Sequence, residues 1–360
     1  MLFYAIVIAI TTLLAWLYSH ISGRRIKKIV FLLSVLVPSA ISGLRGVGSD
    51  YWIYIRNCDE IIEGVFENVD YNSLFTQITR FLFRFDVDFQ VIIFITSLVT
   101  ICAVFRTINL YKKNISYTFG VFSYMLIFFQ MSFNTYRQIL AACLFLVATV
   151  FLYRENNKKK FGVWYIAAVL IHSSILPFGL VYFFKDKILE DRYKKKRILL
   201  YCITAIVIFI IPSLTSQMSF LLKMIPHYGW YITRFYRTGI GIGILRYLVM
   251  GVVPIVFIVR KKVYKEMQEI GLGFIPFYIS MGFVLWLTSY ISESSIYRIS
   301  YNMLIAFPLL HGYIFKKYLR KSRIIVCISV IVIMLGFWAY DGIMLNTGET
   351  VPYQFYWQVR

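Results

Sequence analysis

Apolar stretches of roughly 20 residues, the length that an α-helix needs to cross a bilayer, divide this chain from one end to the other. Hydrophobic residues make up 59% of its 360 residues and charged residues only 15%. Backbone groups inside a bilayer have no water to bind, so helices that satisfy their own hydrogen bonds are favoured there. The sequence therefore predicts an all-α integral membrane protein with about ten to eleven transmembrane helices, forming one polytopic domain over residues 1–360. The predicted spans are 2–20, 29–44, 89–110, 115–133, 139–153, 161–184, 198–212, 239–259, 272–290, 299–315 and 323–340.

The basic residues form two groups that differ in position and in type. Twenty-six of the 38 Lys and Arg lie in six clusters between apolar runs. Cytoplasmic loops carry an excess of Lys and Arg, so these clusters predict the cytoplasmic side and an outer N-terminus. The same rule accounts for the net charge of +21, and we expect no nucleic-acid partner. The clusters are 24–28, 112–113, 154–160, 185–197, 260–265 and 316–323.

The second group points to an anionic ligand. Eleven of the twelve basic residues outside the clusters are Arg. A topological signal can be either residue, whereas a planar fork that grips phosphate at two points must be Arg. An ionisable side chain at membrane depth is a functional hypothesis by default, although Arg137 is near enough to the end of its span to reach the surface instead. The candidates on the outer side are Arg45, Arg137, Arg234, Arg237, Arg246 and Arg298.

The stretch 161–184 conflicts with the positions of the basic clusters if it is one simple span. Basic clusters flank it at 154–160 and 185–197, and a single crossing would place them on opposite sides. Pro177 follows Ile171-His172-Ser173-Ser174 and breaks helices. We expect a re-entrant or broken segment, with one ordinary helix and an unusual loop as the alternative. His172 in this break is either a packing residue or part of the site.

Three regions are predicted on the outer face. Loop 45–88 shows two helical stripes of apolar residues, which predicts two amphipathic helices that lie on the outer membrane surface or cap a cavity. At the start of this loop, Gly46 and Gly48 let the backbone turn tightly and approach a ligand. Arg45 and Asp50 either hold a turn as an ion pair or belong to the site. Residues 213–238 and the tail after Asp341 are rich in aromatic residues. These aromatic residues either contact sugar rings or anchor the membrane interface. No Cys/His cluster has ligand spacing, so we expect neither a metal nor a cofactor.

Four short segments together carry a resemblance to a known family. Residues 45–54, Arg-Gly-Val-Gly-Ser-Asp-Tyr-Trp-Ile-Tyr, resemble the Arg-x-x-Gly-Thr/Ser-Asp-Tyr-x-x-Tyr motif of the EpsG/Wzy family of bacterial polysaccharide polymerases. Residues 133–141 resemble its Asn-x-x-Arg-Gln-x-x-Ala segment, residues 171–174 its His-x-Ser segment, and residues 297–308 its late Arg-x-x-Tyr…Pro stretch. The resemblance covers residues 40–310, and the last span and the tail show no match. Ser49 stands where the family more often has Thr.

The resemblance implies an enzyme, a membrane glycosyltransferase of the O-antigen or capsule type. It would polymerise undecaprenyl-pyrophosphate-linked oligosaccharide repeats at the periplasmic face of the inner membrane, without a metal and with inversion. The implied partners are that substrate, membrane lipid and a chain-length regulator protein. The expected general base is Asp50, followed by His172 and Glu293. The expected pyrophosphate or substrate ligands are Arg45, Arg137 and Arg298, then Arg246, Arg234, Arg237, Tyr51, Tyr54 and Gln138.

Three alternatives stay open at this point. A lipid-linked oligosaccharide flippase also requires Arg at membrane depth, but it should show two related halves, and the sequence shows none. An integral membrane acyltransferase of surface glycans would need a catalytic His facing a cytoplasmic donor. An O-antigen ligase uses the same donor with a different acceptor, which the sequence does not distinguish.

Overall fold

The chain is an all-α membrane protein. Its computed structural model describes residues 1–64, 73–189, 195–196, 198–200, 202–206, 261–291, 295–319 and 324–359. Within these residues there is no β-strand, only an isolated bridge between Arg45 and Phe355. Five described helices are long and apolar enough to cross a bilayer: Leu2–His20, Arg24–Gly43, Phe89–Leu110, Tyr136–Tyr153 and Ile324–Met344. The fold class is therefore confirmed, and the total number of spans stays a prediction.

The helices of the described residues are numbered here in chain order. In chain order they are α1 Leu2–His20, α2 Arg24–Gly43, α3 Tyr51–Glu63, α4 Leu74–Phe83, α5 Phe89–Leu110, α6 Tyr117–Ile127, α7 Tyr136–Tyr153, α8 Lys158–Ile171 and α9 Lys185–Leu189. From residue 261 onward, the described helices are α10 Lys261–Glu269, α11 Ile275–Ile291, α12 Tyr301–Leu304, α13 Phe307–Tyr318 and α14 Ile324–Phe337. In the described ranges, 3₁₀-helices cover Met131–Phe133, Ser173–Tyr182, Ser295–Ser300 and Tyr356–Gln358, and a π-helix, Trp338–Met344, continues α14.

Two of the predicted spans are interrupted. The predicted span 115–133 is the helix α6 to Ile127, followed by turns and a short 3₁₀-helix. The predicted span 299–315 is divided between α12 and α13 by a turn at 305–306. Hydropathy detects the apolar character of both segments, but it does not detect a turn whose residues are themselves apolar.

The predicted break in 161–184 is present. The helix α8 ends at Ile171, and His172 has extended backbone angles, φ −153° and ψ 116°. A 3₁₀-helix then runs from Ser173 to Tyr182 and contains Pro177. The break lies five residues before the proline, because the extended backbone of His172 ends the helix first. Whether the segment re-enters the membrane stays a prediction.

The outer loop contains the two predicted helices. The α3 helix buries Tyr51, Cys58 and Ile61. Ser73 caps α4 by accepting a hydrogen bond from the Thr76 N–H at 3.1 Å. Both helices are amphipathic and half-buried, which confirms this part of the predicted architecture.

The described chain forms two compact units, which are treated separately. The first contains residues 1–151, 157–175 and 307–360, and the second contains 152–156 and 176–306. In the second unit, α11 packs on α12, with Gly282 directly against Leu304. The prediction of one polytopic domain concerns the whole chain and stays a prediction.

Glycines bring α6 and α13 of the first unit into close contact. A side chain at Gly120 would meet Ile108 and the carbonyl of Pro308, and one at Gly312 would meet the carbonyl of Ser116 at 2.9 Å. Small residues at such contacts let helices approach in a membrane, where apolar burial drives little association. The rings of Phe119 and Phe315 stack at 3.6 Å beside this contact.

The first unit has two chemically different ends. At one end, called the basic end, Lys27 and Lys112 both lie over the Tyr18 ring, at 5.1 and 5.7 Å. From there α2 runs to the opposite end, called the site end, where α5 begins and returns. Helices of 20 and 22 residues separate the two ends by about 30 Å, the thickness of a hydrocarbon core.

Candidate functional site

Arg45 lies immediately after α2, buried at the site end with 1% of its surface exposed. Its guanidinium donates hydrogen bonds to the carbonyl of Ser42 and, at 2.9 Å, to the carbonyl of Phe133, and it lies 4.9 Å from the centre of the Phe133 ring. Its Nε is buried without a hydrogen-bond partner. No carboxylate contacts it within the described part of the chain. Arg45 therefore contributes a positive charge that its surroundings do not neutralise.

Burial also affects the titration of this side chain. Desolvation lowers the pKa of Arg45 to about 10, and the nearby phenols of Tyr136, Tyr54 and Tyr353 oppose this effect. A guanidinium with this pKa still carries its proton at neutral pH. Burial thus lowers the pKa of the Arg45 guanidinium but leaves its positive charge in place at neutral pH.

The glycine loop after Arg45 binds the chain's own carboxy-terminal tail. The N–H of Gly46 donates to the Gln354 carbonyl at 2.9 Å, and the N–H of Gly48 donates to the Glu349 carbonyl at 3.2 Å. Gly48 has φ +124°, and a side chain there would meet Asn134 Oδ1 at 2.6 Å. The sequence suggested that these glycines let the backbone approach a ligand. Their close approach is instead to the tail and to Asn134.

The tail is anchored deep in the first unit by buried side chains. Tyr4 donates a hydrogen bond to the Thr350 carbonyl at 2.7 Å. Gln130 donates to Thr350 Oγ1 at 3.0 Å and accepts from Trp338 Nε1 at 2.6 Å. The amide of Gln130 therefore joins the end of α14 to the tail, and the tail in turn holds the loop that carries Arg45.

Gln90 supports the same loop from α5. Its buried amide donates to the carbonyls of Gly43 and, at 3.0 Å, of Arg45, and accepts from the Tyr51 hydroxyl at 3.3 Å. The last carbonyls of a helix lack hydrogen-bond partners within the helix. The Gln90 side chain provides a donor for the carbonyl of Gly43, the last residue of α2. Gln90 thus fixes the backbone on both sides of Arg45 and orients Tyr51.

The start of α7 lies against α3. The hydroxyl of Tyr54 donates to the backbone carbonyl of Asn134, and its ring packs edge-on against Tyr136 at 4.3 Å. Asn134 Nδ2 donates to the Gly348 carbonyl at 3.0 Å. The segment 133–137 is therefore held between Arg45, α3 and the tail.

Arg137 contacts the start of α4. It donates from Nη2 to Ser73 Oγ at 3.2 Å and lies 5.0 Å from the centre of the Phe75 ring. Its Nε, like that of Arg45, is buried and lacks a hydrogen-bond partner. The side chain as a whole is only half-buried, so Arg137 can reach a ligand. Gln138 follows it and is buried.

Asp50 occupies the N-cap position of α3 and is half-buried. Ser49 Oγ donates to its Oδ1 at 3.3 Å. The sequence left open a turn held by an Arg45–Asp50 ion pair, and this pair does not form. Asp50 is thus close to Arg45 along the chain without being neutralised by it.

The other candidates differ in what the structure says of them. His172 accepts a hydrogen bond at Nδ1 from the backbone N–H of Ser174 at 3.3 Å, and the Ser174 hydroxyl is 2.8 Å away. Arg298 lies half-buried in a 3₁₀-helix of the second unit. Arg234, Arg237, Arg246 and Glu293 lie outside the described residues.

The site end brings together residues that are distant in sequence. Arg45, Asp50, Tyr51, Tyr54, Arg137 and Gln138 all lie there, on the end of α2, on α3 and on the start of α7. Sequence reasoning missed Gln90 and Gln130, and it placed the tail on the outer face without predicting its contacts to the glycine loop. An amide at membrane depth is costly without partners, so the two glutamines inside apolar runs were the available signal. Their partners could not be read from that signal.

Most of the chain matches a known protein family. A family model described as the EpsG family matches residues 28–355. The match is longer than the motif resemblance over residues 40–310, and it includes the last helix and most of the tail. Comparison with curated proteins and with solved structures gave no significant match.

Proposed function

The chain belongs to the EpsG family, and from that premise we propose that it polymerises lipid-linked oligosaccharide repeats into a surface polysaccharide. Family membership supports a polysaccharide polymerase-type role in general. The finer proposal is a glycosyltransferase of the inner membrane that acts on undecaprenyl-pyrophosphate-linked repeats at the periplasmic face. Membrane lipid and a chain-length regulator protein are proposed as its partners.

One observation carries the choice of a pyrophosphate substrate. Arg45 and Arg137 each hold a buried Nε–H without a partner at the site end. Buried donors without partners are costly, and they are explained where a ligand completes them. A lipid pyrophosphate concentrates negative charge at the membrane surface and offers several acceptor oxygens. The positive end of the α7 dipole adds to the attraction.

The two arginines have different proposed roles. Arg137 is half-buried and binds the pyrophosphate oxygens directly. Arg45 is more deeply buried and meets the same anion from beneath through its Nε–H, where water does not screen its charge. Fixed charges of this kind stabilise the negative charge that develops as the leaving group departs. Arg298, Arg234, Arg237 and Arg246 remain proposed ligands, and Tyr51, Tyr54 and Gln138 remain proposed substrate contacts.

The proposed reaction is a single displacement with inversion. The bond between the anomeric carbon of the donor sugar and the pyrophosphate oxygen breaks, and that oxygen keeps the electron pair. The acceptor hydroxyl oxygen forms the new bond to the anomeric carbon and gives its proton to Asp50. His172 and Glu293 are the other proposed bases. A general base typically contributes about 10²–10⁴-fold to the rate.

The orientation of the first unit supports an outer site. Two basic clusters meet at the basic end, and the site end lies about 30 Å away across the bilayer-length helices. Since basic loops mark the cytoplasmic side, the site end is proposed to face the periplasm.

Complementation of a deletion strain tests this proposal. Arg137→Lys keeps the charge but loses the planar fork, and Asp50→Asn loses the base. Arg106→Lys, on an exposed position of α5 near the basic end, is the matched control. Polysaccharide banding on a gel and the membrane level of each variant would be measured.

We expect a full ladder with wild type and Arg106→Lys, and a collapse to a single repeat with Arg137→Lys and Asp50→Asn. A full ladder from both site variants at wild-type membrane levels would contradict the proposed mechanism. A deletion strain that lacks even a single attached repeat would favour a flippase or a ligase instead.

A further inference from the structure

Two buried oxygen atoms without partners lie on the helices of the outer loop. They are Oδ1 of Asn57 on α3 and Oγ1 of Thr79 on α4, and Thr79 is 1% exposed. Most buried side-chain oxygens in folded proteins are hydrogen-bonded, because desolvation without a partner is costly. Other buried oxygens also lack partners in the described structure, such as the hydroxyls of Tyr124 and Tyr153, but Asn57 and Thr79 lie on the two helices beside the arginine site.

Their positions connect them to the arginine site. Tyr54 lies one helical turn before Asn57 and packs its ring against Tyr136 at 4.3 Å. Phe75 lies one turn before Thr79 and packs against Tyr136 at 5.5 Å. One turn of helix is about 5.4 Å, so both oxygens lie about one turn further along α3 and α4 than the groups that contact the start of α7.

The orientation of α4 is the reverse of that expected for a helix on a soluble protein. On α4, Ile78 and Phe81 form an exposed apolar stripe that Phe85 continues after the helix ends, and Thr76 and Thr79 are buried together with Phe75. The stripe suits contact with lipid, which leaves the hydroxyl groups turned into the protein. Thr76 has Ser73 as a partner at 2.8 Å, whereas the hydroxyl of Thr79 has none in the described structure.

We propose that Asn57 and Thr79 bind hydroxyl groups of the sugar that is joined to the pyrophosphate. The inference rests on the proposed function, since it extends the same site from the phosphate to the sugar. Pyrophosphate offers acceptor oxygens and so complements the free Nε–H groups of Arg45 and Arg137. It cannot satisfy Asn57 Oδ1, which is itself an acceptor and needs a donor.

A sugar supplies what the pyrophosphate lacks. Each of its hydroxyl groups can donate to Asn57 Oδ1 or exchange hydrogen bonds with Thr79 Oγ1. Free donors on two arginines and free acceptors on α3 and α4 therefore match a ligand that is an anion at one end and a polyol at the other. A lipid tail has no polar atoms, so it would bond neither to the donors on the arginines nor to the acceptors on α3 and α4.

The variants that test this are Thr79→Val and Asn57→Leu. Each substitution removes an oxygen that has no hydrogen-bond partner in the described structure. Each variant protein is therefore expected to melt at or above the melting temperature of the wild type. Thr107→Val is the matched control, because the Thr107 hydroxyl donates to the Ala103 carbonyl at 2.7 Å near the opposite end of α5. A loss of binding without a loss of stability cannot be attributed to misfolding.

Binding would be measured with the full chain in lipid nanodiscs and two probes. One is undecaprenyl pyrophosphate, and the other is the lipid-linked repeat purified from the deletion strain. We expect Thr79→Val and Asn57→Leu to weaken binding of the lipid-linked repeat by about 3- to 10-fold each, the effect of one hydrogen bond. Binding of undecaprenyl pyrophosphate and both affinities of Thr107→Val should match wild type.

The outcomes separate this inference from the function beneath it. If both variants bind the lipid-linked repeat as tightly as wild type while Arg137→Lys binds both probes more weakly, the sugar contact is refuted and the pyrophosphate site stands. If the two variants weaken both probes equally, the sugar contact is likewise refuted. If wild type binds neither probe, the proposed function itself fails.

Discussion

A single methyl group at Gly46 should displace the tail from the loop that carries Arg45. A side chain added at Gly46 would lie 2.9 Å from the Cα of Tyr356 and 3.0 Å from the Phe355 carbonyl oxygen, and it would also clash with Val359. Normal contacts between carbon atoms are about 3.5–4.0 Å. Two of these neighbours are backbone atoms, which cannot rotate aside. The tail must therefore move as a segment in Gly46→Ala.

The contacts give the magnitude. Overpacking of a tight site costs about 1–3 kcal/mol. Displacement also breaks the hydrogen bonds from the Gly46 N–H to the Gln354 carbonyl at 2.9 Å and from the Tyr356 N–H to the Leu44 carbonyl at 3.0 Å. Each contributes about 0.5–1.5 kcal/mol. We expect Gly46→Ala to lower the free energy of unfolding by about 2–6 kcal/mol.

Thermal melting and chymotrypsin cleavage of the folded protein would measure this effect, since the tail is rich in Tyr, Phe and Trp. The matched control is Gly162→Ala in α8, where a side chain meets nothing within 4 Å. That change should stabilise the helix by up to about 1 kcal/mol. If Gly46→Ala has the same melting temperature as the wild type and its tail is cleaved no faster, the tail does not bind the loop in the way proposed.

Two further predictions concern the glutamines at the site end. Gln90→Leu removes the amide that bonds two backbone carbonyls and the Tyr51 hydroxyl, and should cost about 2–4 kcal/mol in thermal or denaturant unfolding. The loss in the double variant with Tyr51→Phe should be smaller than the sum of the two single losses by about 1 kcal/mol, and strictly additive losses would argue against that hydrogen bond. Gln130→Leu strands the Trp338 N–H and frees Thr350, so it should cost about 2–4 kcal/mol and speed tail cleavage. Unchanged cleavage would mean that Gln130 does not anchor the tail.

Local patterns were enough to predict much of the fold. The boundaries of α1 and α5 agree with the predicted spans 2–20 and 89–110, because uninterrupted apolar runs leave the backbone only a helix in a bilayer. The break near His172 followed from the positive-inside rule together with a proline. The turns at 128–130 and 305–306 escaped prediction, because all their residues except Gln130 are as apolar as the helices on either side.

The candidate site was predicted in part. Arg45 and Arg137 were singled out as arginines at membrane depth, and the structure places both at one end of one unit. The sequence suggested that the glycine loop faces a ligand, whereas its N–H groups face the tail. Hydrogen bonds between residues more than 200 positions apart, such as that from Gln130 to Thr350, leave no periodic signal.

The sequence by itself determined what kind of protein this is. Its apolar runs require membrane helices, its basic loops distinguish the two sides, and its motifs identify the family. Only the tertiary structure decided which polar groups have partners. That depends on which helix ends meet, and here α2, α5, α7 and the tail meet around Arg45. In the described structure, this packing leaves Nε of Arg45, Nε of Arg137, Oδ1 of Asn57 and Oγ1 of Thr79 without hydrogen-bond partners. Composition is a property of each segment alone, whereas the satisfaction of a buried polar group depends on the segments packed against it.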